Sequence, residues 1–290
     1  VAVVFVATLI EDRATNAPAL GNRGLAHFGL GSWLERLGRD ARAEYRAAAE
    51  DLRTRLSGGP SDAELRTHLS LALYRLGDIE ASTGGDPRAE WGEAIVEARK
   101  ALEEDAVSKR LHSVLADLLS QEGKIAEAVQ AGRTAVEQAP SNQVLLKILR
   151  YLEDLQARSG EAGGADWRLL AWLSDEAFAR DEYARGRLLA EDAIAAAPEA
   201  ALSEDAQRRT VLTCHYNAAC AFARLLDPSR APWDLGDVLR LEHRDAAFAH
   251  LGRAVELGWS DAEALQGDED LAPLRSDPRW NGLVDSLPRK

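Results

Sequence analysis

Cys214, His215 and Cys220 fall within one run, CHYNAAC, and thiolate with imidazole is the donor chemistry of a zinc site. Two ligands on one helix share a face only when three or four residues apart, whereas these cysteines are six apart. At about 1.5 Å per residue they stand roughly 9 Å apart, beyond the reach of a disulfide. The pair therefore reads as two free thiols, the usage of a reducing compartment. His243 and His250 are separated by two helical turns and read as solvated positions. Gly123-Lys124 lacks the glycine-rich approach of a phosphate loop, and Gly29-Leu-Gly31 lacks the strand and remaining glycine of a dinucleotide fingerprint. Nothing resembles a nucleophile elbow. The expectation is a non-enzyme with neither metal nor cofactor.

The remaining residues suited to recognition are rings and charges. Seven tryptophans (Trp33, Trp91, Trp167, Trp172, Trp233, Trp259 and Trp280) invite an aromatic-cage reading, but most fall where helices need core. Trp233 is the exception, in a stretch where no helix requires a large ring, and is expected to pack over helix ends. Acidic residues outnumber basic ones 48 to 35, a net charge of −13, and no Lys/Arg stripe follows a phosphate backbone. Nucleic acid is thereby excluded as a partner, and a basic peptide or protein suits the field better. Val1 to Ile10 is an unbroken apolar run, too short to span a bilayer and without the basic start of a signal peptide. Either it is a buried first element or it is the end of a truncated membrane span. The expected location is accordingly cytoplasmic or membrane-anchored, with contact to a membrane only in the second case.

From about Gly24 the chain runs as Ala/Leu-rich amphipathic helices broken at Ser57-Gly-Gly-Pro60, Thr83-Gly-Gly-Asp-Pro87, Ala139-Pro140 and Ala197-Pro198. Ser61 with Glu64 and Ser260 with Glu263 have the spacing of capping boxes, and Asp277-Pro278 marks another start. The stretch from Lys109 to Asn142 places Leu115-Ala116, Leu119, Gly123, Ala128, Ala135 and Pro140 along two helices. The small residues belong where helices cross closely, Gly123 makes the turn, and Pro140 ends the pair. Leu173-Ser174, Ala177, Gly186, Ala193 and Pro198 return in the same register, each at one constant distance beyond its counterpart. That distance exceeds the length of one helix pair, so an unpaired helix is inserted near 143–166. Leu76-Gly77 with Trp91, Ala94 and Ala98 forms an earlier pair. Gly31 to Leu56 forms another, with Gly38 at its turn.

These spacings, recurring on a unit of about 34 residues, resemble the tetratricopeptide repeat (TPR). The stretch from YNAACAFARL through AFAHLGRAVELGWSDAEALQGDEDLAPLRSDPRWNGLVDSL is similar to the last repeat and end cap of bacterial TPR proteins. In some of these families that ending follows membrane-anchored Ser/Thr protein kinases. The sequence departs from the pattern where Gly132 and Ala190 replace a late aromatic of the second helix. It also lacks the Lys/Asn/Arg set that grips a terminal carboxylate; Arg110, Val114 and Asp117 stand there instead. The resemblance implies an all-α, right-handed α-solenoid of about five helix pairs. Residues 1–23 would be an apolar segment and linker, 24–258 the repeats with a loop at 227–242, and 259–290 a C-terminal cap.

A solenoid of this kind offers a concave face built from the first helix of each pair. Residues offset from the Leu/small seam would line it: Tyr74, Asp78, Arg110, Asp117, Arg168, Asp175 and Tyr216, with Lys147, Tyr151 and Asp154 from the inserted helix. The expected role is a scaffold for a protein or peptide partner. The alternative is the sensor or docking region of a larger membrane-anchored enzyme such as a kinase.

Overall fold

A computed structural model of the protein describes residues 17–104, 108–159, 167–227 and 236–287, and every regular element among them is helical. The chain divides into two compact units. The first comprises 1–80 and 86–160, the second 81–85 and 161–290.

In the first unit, α1 (Ala17–Arg36) pairs with α2 (Arg42–Ser57), α3 (Ala63–Ser82) with α4 (Arg88–Glu104), and α5 (Lys109–Gln121) with α6 (Ile125–Gln138); α7 (Gln143–Ser159) follows. The first helix begins at Ala17, ahead of the Gly24 boundary expected from sequence. Pro18 suits a first turn, where its missing N–H costs nothing, and Arg23 fastens α1 to α2 through two 2.6 Å bonds to the Asp51 carboxylate. The run Val1 to Ile10 lies outside the described residues.

Small residues sit where the helices cross. Ala94, Ala98, Ala116 and Ala128 are fully buried, and a Cβ on Gly77 would lie 2.5 Å from the Trp91 ring. Ser70 Oγ on α3 donates to the Ala94 carbonyl of α4 at 2.9 Å, using a lone pair the helix ladder leaves over. Gly123 turns the α5–α6 pair at φ +74°. Two helix starts differ from the expected capping boxes: Asp62, not Ser61, accepts from the Glu64 and Leu65 amides, and Asp261, not Ser260, accepts from Ala264. A carboxylate one position nearer the helix makes the stronger, charge-assisted cap, which frees the Ser61 hydroxyl to bond Glu104.

The inserted helix α7 finds its place against α6. A Cβ on Gly132, the position where the repeat pattern asks for an aromatic, would lie 3.5 Å from both Leu149 and Leu152, and Arg133 pairs with Glu153 at 2.9 Å. The missing ring and the extra helix thus explain one another: α7 supplies the apolar volume that α6 lacks.

In the second unit, α8 (Trp167–Phe178) pairs with α9 (Tyr183–Ala196). A 3-10 turn at Glu199–Ser203 then leads to the pair α10 (Asp205–Leu225) and α11 (Gly236–Glu256). Ser174 Oγ donates to the Gly186 carbonyl at 2.8 Å, the same device as Ser70 in the first unit. Helix α11 starts at Gly236, so the expected loop at 227–242 gives up its second half to helix; Trp233 lies outside the described residues. The cap consists of α12 (Ala262–Gly267), a 3-10 turn (Glu269–Leu274) and α13 (Arg279–Asp285). Leu265, Leu271, Leu274 and Trp280 are buried against Ala219, Phe222 and Leu251.

The segment 81–85 packs into this unit. His243 Nε2 lies 2.8 Å from the Thr83 carbonyl, and Arg187 Nη2 donates to the Gly85 carbonyl at 2.6 Å. Gly84 between them has φ +82°, and a Cβ there would fall 2.4 Å from the His243 ring. His243 is therefore a buried, hydrogen-bonded side chain rather than the solvated position expected. His250 is half-buried too, with Nδ1 3.0 Å from Nδ1 of His215. Core packing claims both histidines because Phe222 lies against each ring, at 5.7 and 5.9 Å between centroids.

Candidate functional site

In the first unit the helices α1, α3 and α5 bring their outward residues together in two layers. The first contains Phe28, His68 and Arg110. Phe28 meets His68 edge-on at 5.3 Å, and the Arg110 guanidinium carbon lies 6.0 Å from the Phe28 centroid. The second layer stands seven residues further along each helix, at Glu35, Arg75 and Asp117, with Tyr74 and Asp78 beside them. Tyr74 Oη donates to Asp117 Oδ2 at 2.6 Å, and Arg75 lies 3.6 Å from Glu35 and 3.7 Å from Asp78. From α2, the Tyr45 hydroxyl donates to Glu35 Oε2 at 2.7 Å. Two turns of helix recur in all three first helices, so the layers are in register.

Electrostatics differ between the layers. Burial, and after it the Asp117 charge, pushes the Asp78 carboxyl up to about 7. The same two causes raise the Tyr74 phenol. Tyr45 is pushed up to about 12, chiefly by burial. Arg110 is lowered, first by burial and then by the like charge of Arg75. The layer around Asp78 thus keeps a proton near neutrality, while the Arg110 layer presents a cation.

The opposite side of the unit is different in kind. Arg53 of α2 grips Glu93 of α4 at 2.8 Å, and Arg99 of α4 pairs with Glu127 of α6 at 2.7 Å. A cleft of about 400 Å³ lined by Arg46, Arg53, Leu73, Leu76 and Glu93 lies on this side. Its two arginines are engaged, Arg46 with Glu80 beside the cleft and Arg53 with Glu93, while Glu50 and Glu90 add further carboxylates to its wall.

Of the residues expected from sequence, Tyr74, Asp78, Arg110 and Asp117 come together on this face. Lys147 and Asp154 are exposed and Tyr151 half-buried on α7, whose packing partner is α6. In the second unit Arg168 is exposed on α8, and Asp175 accepts from Asn217 Nδ2 of α10 at 2.8 Å. Burial raises the Asp175 carboxyl and Asn217 offsets part of that. Tyr216 is engaged with the cap: its ring stacks on Trp259 at 4.0 Å and its hydroxyl donates to Asp268 at 2.7 Å. Both contacts are structural, so Tyr216 is taken up by the end of its own chain. Sequence reasoning missed Phe28, Glu35, Tyr45, His68 and Arg75. The shared offset of seven residues between Phe28 and Glu35, His68 and Arg75, and Arg110 and Asp117 is the signal that finds all but Tyr45, which reaches Glu35 from α2, once the first helices are aligned.

No known protein-family pattern matches the chain, and no curated protein matches it. Among solved structures it is similar to the C-terminal part of a TPR repeat-containing protein from Cytophaga hutchinsonii, at 12% identity, covering 99% of this chain and 93% of that one, with a TM-score of 0.32. It is also similar to a tetratricopeptide repeat protein from Parabacteroides merdae, at 14% identity, covering 87% and 98%, with a TM-score of 0.34. Scores of this size leave the fold to be read from the helices of the chain itself.

Proposed function

We propose that the protein is a non-catalytic interaction scaffold that holds a peptide or protein segment against the concave, first-helix side of its first unit. One observation carries this: the α1, α3 and α5 face sets rings and charges of both signs in two layers in register, and its exposed Arg110 makes no ion pair among the described residues. A face carrying the half-buried Tyr74 and fixed charges suits an extended polypeptide, because a ring gives contact area at low entropy cost and charges set register. Lys147, Tyr151 and Asp154 on α7 extend the surface; Arg168 and Asp175 are candidate contacts of the second unit.

The test is a selection of random peptides on the full chain, repeated on a variant with Tyr74, Arg110, Asp117 and Lys147 all changed to Ala. Peptides enriched on the wild type should lose binding by about tenfold or more on the variant, whose helical circular dichroism should be retained. Enriched peptides that bind the folded variant equally well would move the site off this face.

A further inference from the structure

Resting on that reading, the two layers also prescribe what the bound segment carries. The only formal charge of the first layer is Arg110, which makes no ion pair among the described residues; His68 turns its Nδ1 to the Glu64 carbonyl at 2.9 Å. The second layer sets three carboxylates, Glu35, Asp78 and Asp117, against the single guanidinium of Arg75. Seven residues of helix separate the layers by about 10 Å, which an extended chain covers in about three residues. We propose that the occupant is an extended peptide segment with an acidic side chain that lies on Arg110 and, about three residues away, a basic side chain that lies among Glu35, Asp78 and Asp117.

The charge order is set by repulsion as much as by attraction. A cation placed in the first layer meets Arg110 with Arg75 behind it, and an acid placed in the second meets Glu35 and Asp117, joined by Asp78 once it ionises, so the reversed arrangement is disfavoured at both ends. Phe28, buried beneath His68 and Arg110, floors the first layer and fixes the position of the guanidinium above it. Asp78 faces Tyr74 and Arg75 of its own helix, Glu35 of α1 and Asp117 of α5, with Tyr45 of α2 behind Glu35. Since burial and Asp117 keep Asp78 protonated up to about pH 7, a cation arriving there displaces the proton, and affinity should rise from about pH 6 to about pH 8.

The probes are terminally blocked, fluorescent octapeptides with one Glu and one Lys at every separation and in both orders, with matched two-Lys and two-Glu sets, titrated into the full chain and read by anisotropy. Peptides with the charges about three residues apart should bind best, and replacing either charge by Gln should weaken them about fivefold, the effect of one ion pair near the surface. Arg110→Glu should transfer preference to peptides with two Lys, and Asp117→Lys to peptides with two Glu. Asp78→Asn should abolish the pH dependence. Binding that ignores spacing and charge exchange, yet is lost in the four-residue Ala variant, would overturn this inference and leave the groove standing. Equal binding by that variant would overturn both. No measurable binding by any peptide of the set would also overturn the inference.

Discussion

Asp78→Asn should stabilise the protein at alkaline pH and do little at acid pH. In the unfolded chain the carboxyl ionises near the ordinary aspartate value of 3.8, whereas in the folded chain it holds its proton up to about 7. Between these values the folded state carries the extra proton, so rising pH erodes stability until about pH 7 and no further. The gap converts to a ceiling of about 4 kcal/mol. Because the side chain is 30% exposed, solvent screening reduces the effect to about 1–2 kcal/mol. Asparagine keeps the shape and the acceptor facing Tyr74 but never ionises. Urea denaturation of both proteins at pH 5 and pH 8 gives the difference directly, with the titration of every other group cancelling. The variant should be the more stable at pH 8 by that amount, with most of the gain gone at pH 5. A gain independent of pH, or a variant less stable at pH 8, would refute the assignment of Asp78 as a buried acid strained by its neighbour.

Ala128→Leu should cost about 1–3 kcal/mol, because Ala128 is fully buried at the α5–α6 crossing and a longer side chain must displace a helix; an unchanged melting midpoint would contradict that packing. Gly84→Ala should cost about 2 kcal/mol or more in chemical denaturation, since its φ of +82° disfavours any Cβ and the new atom would press on His243. Burial and the facing His250 hold His215 down to about 4, below the unfolded value of 6.5. Stability should therefore be intact above about pH 6.5 and decline as pH falls towards 4, and His215→Gln should flatten that decline in acid-melting curves. Removing residues from Ser260 onward strips Leu265, Leu271, Leu274 and Trp280 from the α10 and α11 core, so the truncated chain should aggregate or bind an apolar dye; a soluble, equally stable product would argue against the cap.

Local periodicity carried most of the fold. Alanine at 116, 128 and 135 and glycine at 123 are where they are because two helices touch there, and that need recurs with each pair. Helix starts marked by a cap were legible to within a residue, since Ser61 and Asp62 are both good caps and only geometry tells which reaches the amides, whereas the starts at Ala17 and Gly236, without such a signal, were missed by several. The role of α7 was illegible by pattern because its partner is an absence: Gly132 has no side chain to announce that Leu149 and Leu152 fill its place. At the candidate site, Tyr74, Asp78, Arg110 and Asp117 followed from face offsets on single helices. Glu35 and Arg75 did not, because they depend on the register between helices that are far apart in the sequence. Tyr216 and the histidines went the other way. Their partners, Asp268, Thr83 and one another, are distant in sequence, and only the folded chain shows that they are already committed.

The hydrogen bond from His243 to the Thr83 carbonyl joins residues 160 positions apart, in a fold whose other contacts are mostly between neighbours in sequence. Repeat arrays ordinarily grow by nearest-neighbour addition, each pair templating the next. Here the second unit is completed by a strip of chain that lies far back in the sequence, and closing so large a loop has an entropic cost that local pairs avoid. A piece cut at residue 161 would keep its own helix pairs and yet leave the His243 imidazole and the Arg187 guanidinium facing a gap where the Thr83 and Gly85 carbonyls belong. Two buried donors that lose these acceptors make such a piece less stable and more exchangeable with solvent than its helices alone suggest. An excised second unit is therefore best made with residues 81–85 restored, in cis by a linker or in trans as a peptide, and its recovery of amide protection would measure how much that short strip contributes.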